Sequence, residues 1–235
     1  MNDFAGWDLA PEAVKKLLQE FRSKRILEIG SGARPTIPIE FVKGAGLEYT
    51  TNDVSESELT KADPGYKKLL LDMGCASLPG ELTGRYDFIF SRMVNEHVKN
   101  GENYYRNIHA MLAPGGITVH WFSTLYALPF LMNWLLPDKL SDVLLSIFAS
   151  RDRHLQGKFV AHYSWCRGPS PRSIRRFEEI GFKVLRYNGY FGHSYYARRL
   201  QFLDKLEKKK MTWLARHPQA WACSYAHIIL QHPAV

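Results

Sequence analysis

Cysteine is scarce in this chain: Cys75, Cys166 and Cys223 are the three in 235 residues, far apart and outside any CxxC spacing. An odd, scattered set excludes a disulfide framework and offers no paired zinc ligands, which suits a reducing compartment. Long apolar runs are missing too. Leu125 to Leu136 reads LYALPFLMNWLL, falls short of the ~20 residues that a membrane-spanning helix needs, and is cut off by Pro137, Asp138, Lys139 and Asp142. The opening residues, Met1 to Asp8, mix acids, glycine and aromatics instead of leading from a basic stretch into an apolar one, so export is not expected. There is no internal repeat, no low-complexity segment and no tight cluster of carboxylates or histidines that would announce a metal. What is present is 46% hydrophobic and 13% aromatic content, enough for one substantial core, and a net charge of +8 that would attract phosphates, nucleic acid or an anionic membrane surface.

The pattern along the chain alternates strand with helix. Val14, Leu17, Leu18 and Phe21 share a helical face; Arg25 to Ile29 (RILEI) is a short buried strand that stops at Gly30-Ser31-Gly32. Leu47 to Asn52, ending at Asp53, and Lys68 to Leu71, ending at Asp72, are two further strands, each closed by an acid. Tyr86 to Phe90 is a fourth strand, Tyr104, Ile108 and Met111 mark a helix stopped by Pro114-Gly115-Gly116, and Ile117 to Phe122 is a fifth strand. Ser170-Pro171 opens a helix that Gly181 ends, Phe182 to Tyr187 is a sixth strand, Arg198 to Arg216 is a basic helix, and Ser224 to Leu230 (SYAHIIL) is a seventh strand. Such alternation predicts a parallel sheet with right-handed crossovers. One domain is expected over 1–235, with a ligand-binding core at about 10–123, an insertion at about 124–170 and a closing part at about 171–235.

Glycines after a first strand let a backbone approach its ligand closely. A dinucleotide fingerprint would place its third glycine at Pro35, so a pyrophosphate is disfavoured. Glu28, an acid two residues before Gly30, suits a cationic ligand better, and S-adenosylmethionine carries both an ammonium and a sulfonium. Asp53 is suited to accept both ribose hydroxyls, and Asp72 to accept from the exocyclic adenine amine.

Five segments in order then resemble the class I S-adenosylmethionine-dependent methyltransferases, particularly the group called type 11. They are LEIGSG (Leu27 to Gly32), NDVS (Asn52 to Ser55), LDMGCASLP (Leu71 to Pro79), YDFIFSRMVNEHV (Tyr86 to Val98) and MLAPGG (Met111 to Gly116). The resemblance implies a Rossmann-like, seven-stranded, mostly parallel sheet with the last strand antiparallel and helices on both faces. It implies S-adenosylmethionine as cofactor, with Glu28, Gly30, Ser31 and Gly32 at the methionine end, Asp53 and Val54 at the ribose, Asp72 and Met73 at the adenine, and Ser91 and Arg92 beside the methionyl moiety. The chain departs from the pattern at Ala33 and Pro35 and in the long insertion after strand five.

Methyl transfer is an in-line displacement at an already activated sulfonium, so the protein must mainly align the partners and exclude water. Only a hydroxyl acceptor also needs a base, and His154, His162 and His193, with Tyr163 beside one of them, lie where an acceptor would sit. His97 is expected to cap or pack. The expected function is O-methylation of a sugar, a lipid-linked glycan intermediate or another small metabolite, in a cytoplasmic enzyme with the option of peripheral contact at the inner face of a membrane. That contact would join the apolar stretches Tyr126 to Leu136 and Leu140 to Phe148 to the basic helix bearing Lys205 and Lys208 to Lys210. A nucleic-acid methyltransferase is the lesser alternative: Ser91-Arg92-Met93-Val94 stands where base-amine methyltransferases carry Asn/Asp-Pro-Pro-aromatic. A catalytically silent S-adenosylmethionine-binding protein is the other.

Overall fold

A computed structural model of the chain describes residues 10–125, 160–192 and 201–234. Seven strands form one sheet: β1 (Arg25–Ile29), β2 (Glu48–Asp53), β3 (Lys67–Leu70), β4 (Tyr86–Arg92), β5 (Leu112–Ser123), β6 (Lys183–Tyr190) and β7 (Tyr225–Gln231). Their order is β3-β2-β1-β4-β5-β7-β6. The first five pair in parallel, and β7 runs antiparallel between β5 and β6. The Rossmann-like sheet expected from the sequence is therefore the sheet observed.

Two departures are local. β5 begins at Leu112, ahead of the Ile117 expected, and so takes in the Pro114-Gly115-Gly116 that was to separate helix from strand. Gly115 takes φ +81° and the pairing with β4 slips between Tyr86 and Phe88, so those residues form an irregularity inside a strand. β6 runs on to Tyr190, beyond the Tyr187 expected, because β7 pairs with it along that length.

Helices α1 (Ala10–Glu20), α2 (Ile39–Gly44), α3 (Glu56–Lys61), α4 (Gly101–Met111), α5 (Pro171–Ile180) and α6 (Gln201–Arg216) accompany the sheet. α5 starts and stops as its sequence dictates: the Ser170 hydroxyl accepts the Ser173 N–H at 3.1 Å, Pro171 fills the first turn, and Gly181 takes φ +113°. The alternation of side chains along each strand divides the core in two. Ile26, Phe88, Phe90, Val119 and Trp121 pack with Val14 and Leu18 of α1 and Val42 of α2. Leu27, Ile29, Ile89 and Phe122 pack on the other face with Tyr104, Ile108 and Met111 of α4 and Phe177 of α5. Each such fully buried side chain contributes about 1.5–3 kcal/mol relative to exposure. Both faces of β1 are covered, which is why burial runs unbroken from Ile26 to Ile29 and takes in Glu28 with the apolar residues.

One polar strip crosses the second core. His120 of β5 is fully buried, with Nδ1 2.7 Å from the Ser91 hydroxyl and Nε2 2.7 Å from the Thr118 hydroxyl. Ser91 donates to Asn95 Oδ1 at 2.7 Å, so its lone pair faces His120, which puts the imidazole proton on Nδ1 and leaves Nε2 to accept from Thr118. Asn95 continues the chain to the hydroxyls of Tyr104 and Tyr105. Burial holds His120 neutral, its pKa pushed down to about 3.

Candidate active site

The carboxyl ends of the parallel strands lie along one edge of the sheet, finishing at Ile29, Asp53, Leu70, Arg92 and Ser123. β1 and β4 are neighbours, yet the chain leaves them in opposite directions, β1 toward β2 and β4 toward β5. A crevice opens beyond such a pair, and that is where a parallel sheet takes its ligand.

The loop after β1 is shaped by two glycines in the left-handed region. Gly30 has φ +68° and packs so tightly that a Cβ would stand 2.5 Å from Val94 Cγ2; Gly32 has φ +49°, and its Cβ would stand 2.9 Å from Asp53 Oδ2. Backbone, and not side chain, therefore faces the crevice at both positions. Ser31 ties the loop to β2: its N–H donates to Asn52 O at 3.1 Å and its hydroxyl bonds that of Thr51.

Asp53 is half-buried at the end of β2. Its Oδ1 accepts the Ser55 N–H at 3.0 Å, and a carboxylate with about four lone pairs keeps capacity for a pair of hydroxyls. Next to it Val54 is 63% exposed, an apolar side chain bared at the crevice. Asp72 is exposed and turns the chain after β3 by accepting the Gly74 N–H at 2.8 Å, while Met73 is buried in the core beneath it. Asn107 of α4 holds that segment by donating to Met73 O and Cys75 O, both at 2.9 Å.

Two of the expected ligands sit deeper than a contact residue would. Glu28 is buried with both oxygens engaged: Oε2 accepts the Thr36 N–H at 2.8 Å and the Tyr49 hydroxyl at 2.5 Å, and Oε1 accepts the Thr36 hydroxyl at 2.5 Å. Burial pushes its carboxyl above the usual range, and the Thr36 and Tyr49 hydrogen bonds and the Arg92 charge work against that. Ser91 is fully buried and committed to Asn95 and His120. Arg92 is partly buried at the strand end.

Three residues that the motifs did not single out complete the edge. Met93 holds φ +57°, rare for a residue with a side chain, while its N–H donates to Trp121 O at 2.7 Å. Val94 closes on Gly30. Glu96 lies in a short helical turn, Asn95–His97, and is buried. Its Oε1 accepts from Ser123 at the exit of β5 and its backbone carbonyl accepts the N–H groups of His162 and Tyr163, at 2.7 and 2.9 Å. Tyr163 and Trp165 also hold positive φ, 50° and 63°. Backbone strain gathers at functional sites, and here it marks the switch point and the segment laid over it. A left-handed methionine, tyrosine or tryptophan leaves no signature in a sequence.

His162 is exposed on that segment. His154 and His193, and the apolar stretches at 126–136 and 140–148, lie outside the described residues. His97 is exposed, its Nδ1 3.1 Å from Val160 O, packing on the same segment. Among the described residues no group of three or more His, Cys, Asp or Glu side chains is placed to hold a metal.

Residues 7–187 match a family model described as a methyltransferase domain. The chain belongs to this methyltransferase family. No curated protein matches its sequence significantly. Solved structures share the fold at low identity. An S-adenosylmethionine-dependent methyltransferase from Mesorhizobium loti is 16% identical with a TM-score of 0.58, over 97% of this chain and 98% of that one. Phosphoethanolamine N-methyltransferase 2 from Haemonchus contortus, in complex with S-adenosyl-L-methionine, is 16% identical with a TM-score of 0.55, over 94% of this chain and 52% of that one. The [4+2]-cyclase SpnF is 13% identical with a TM-score of 0.56, over 100% of this chain and 85% of that one. A fold that also serves a cyclase does not by itself name a reaction; the family assignment rests on the match over 7–187.

The Haemonchus contortus enzyme holds S-adenosyl-L-methionine in one structure and S-adenosylhomocysteine in another. The residues at the crevice fit S-adenosylmethionine: two glycines in the left-handed region, closely approached by Val94 and Asp53, the spare acceptor capacity of that aspartate, and an exposed valine next to it.

Proposed function

We propose that this methyltransferase transfers a methyl group to an oxygen of a sugar, a lipid-linked glycan intermediate or another small metabolite. Gly30, Ser31 and Gly32 take the methionine end through their backbone, with Glu28 bracing the loop from behind through Thr36. Asp53 and Val54 take the ribose and its neighbourhood, and Asp72 and Met73 the adenine side; Ser91 and Arg92 border the methionyl group, Ser91 by holding the end of β4 in place. Bound there, S-adenosylmethionine supplies a methyl group already activated on a sulfonium. The protein's own task is then alignment and exclusion of water, and the segment from Val160 to Cys166, pinned on Glu96, is the element positioned to do it. His162, exposed on that segment, takes the acceptor proton, with His154 and His193 as the other histidines of the acceptor side.

The observation that carries this reading is the approach of Gly32 to Asp53 at the carboxyl ends of β1 and β2, where the left-handed glycine leaves room beside the loop for the Asp53 carboxylate. Titration calorimetry with S-adenosylmethionine tests it. Asp53→Ala removes a charged acceptor worth about 1.5–3 kcal/mol, so affinity should fall roughly 10- to 150-fold; unchanged binding would overturn the assignment. Radiolabelled methyl transfer to glycan and lipid extracts should exceed transfer to RNA, and His162→Gln should lower it; the reverse preference would replace the small-acceptor reading with a nucleic-acid one.

A further inference from the structure

α6 is amphipathic the wrong way round. Its inner face is docked: Leu214 is buried with Phe191 and Cys223, and Met211 packs beside Gly192. A surface helix normally turns charge outward opposite such a face. At about 100° per residue, the ridge opposite Met211 and Leu214 is instead formed by Phe202, Leu206, Lys209 and Trp213. Phe202 is 72% exposed, Leu206 47% and Trp213 55%, and Trp221 in the turn that follows is 65% exposed. Cations border the ridge. Lys205 and Arg216 lie on one side of it and Lys210 on the other, while Lys208 and Lys210 are drawn to Asp204 and Glu207 on the inner flank, at 2.7 and 2.6 Å.

The register of the sheet decides where this ridge points its chemistry. Ser123 at the carboxyl end of β5 pairs with Tyr225, and Tyr225 with Tyr190. Met211 and Leu214 of α6 pack on Phe191, Gly192 and Cys223, which flank Tyr190 and Tyr225, so that part of the helix lies at the edge of the sheet that carries Gly30, Asp53 and Val94. Because among the described residues no helix is long and apolar enough to cross a membrane, an apolar ridge flanked by cations is suited to lie on a bilayer surface, not in it.

We propose that the outer ridge of α6 is a docking face for an anionic lipid surface, which sets the methyl-transfer crevice beside the headgroups and so favours an acceptor carried on a lipid. This rests on the acceptor reading above only in its last clause. Exposed phenylalanine and leucine favour lipid over nucleic acid, since a nucleic-acid site would need its aromatics along a backbone-tracking groove. The cations that matter are Lys205, Lys209 and Arg216, not the whole run from Lys208 to Lys210, two of which are already held by acids.

Co-sedimentation of the full chain with phosphatidylglycerol-containing and with pure phosphatidylcholine vesicles tests the proposal. Each basic residue near an anionic surface is worth about fivefold in affinity. Removing that contribution in Lys205→Ala/Lys209→Ala/Arg216→Ala should cost up to about 100-fold on anionic vesicles and flatten the salt dependence. Phe202→Ser/Leu206→Ser/Trp213→Ser should weaken binding to both vesicle types, with S-adenosylmethionine affinity and circular dichroism unchanged as proof of folding. Equal binding of the wild type to charged and neutral vesicles, no binding to either, or tighter binding to single-stranded RNA at the same salt would each overturn the proposal. If S-adenosylmethionine binding is intact in that event, the methyl-transfer reading stands; if vesicle binding is intact and cofactor binding is absent, only the latter reading fails.

Discussion

Replacing Gly32 by alanine separates the two demands placed on that residue. Alanine at φ +49° carries a left-handed penalty of about 1–2 kcal/mol. Its Cβ would also stand 2.9 Å from Asp53 Oδ2 and 3.2 Å from Glu58 Cβ, closer than ordinary van der Waals contact, so the aspartate must turn out of the crevice. Gly46 provides the control, since it has φ +59° and nothing within 4 Å of its would-be Cβ. Urea denaturation should show both variants losing about 1–2 kcal/mol. Calorimetry should show them diverging: Gly46→Ala binds S-adenosylmethionine as the wild type does, and Gly32→Ala binds at least about tenfold more weakly, equivalent to about 1.4 kcal/mol. Equal affinities in the two variants would refute the role given to the Gly32–Asp53 contact, because strain alone would then account for the glycine.

Acid should destabilise the fold through His120 and His227, whose pKa values burial pushes down to about 3 and about 4. Below about pH 6.5 the unfolded chain takes up protons that these folded histidines refuse, so each withdraws roughly 2 kcal/mol at pH 5. Glu28 and Glu96, pushed up by burial, act in the opposite sense; the informative quantity is therefore the pH 7 to pH 5 change in unfolding free energy of the wild type minus that of His120→Asn, expected near ~2 kcal/mol, and parallel profiles would refute it. Tyr49→Phe strips one donor from the buried Glu28 carboxylate, which should cost about 1–3 kcal/mol in chemical denaturation and loosen the loop it braces; a change within error would mean that Thr36 alone satisfies the acid.

The alternating strands and the acids that close them were legible because each depends on local pattern. RILEI stops at glycine where β1 stops, Ser170, Pro171 and Gly181 bound α5, Asp53 closes β2, and Asp72 follows β3. Glu28 was the instructive case. Its place in LEIGSG suggests a ligand-facing acid, but the twist that brings Thr36 and Tyr49 over β1 engages both of its oxygens, and contacts between residues far apart in sequence leave no periodic trace. Ser91 is drawn inward by His120 for the same reason.

What the chain determined by itself was therefore the succession of elements, and with it the family, since hydrophobic period, capping and glycine placement act over a few residues. Tertiary structure alone decided which polar groups lie at the carboxyl edge of the sheet and which face the core, that Glu96 fastens the 160–166 segment to the turn after β4, and that α6 turns Phe202, Leu206 and Trp213 outward. The physical reason is that burial is a property of what packs on a residue. In α6 the same helical repeat is equally compatible with either face inward until Phe191 and Cys223 claim Leu214.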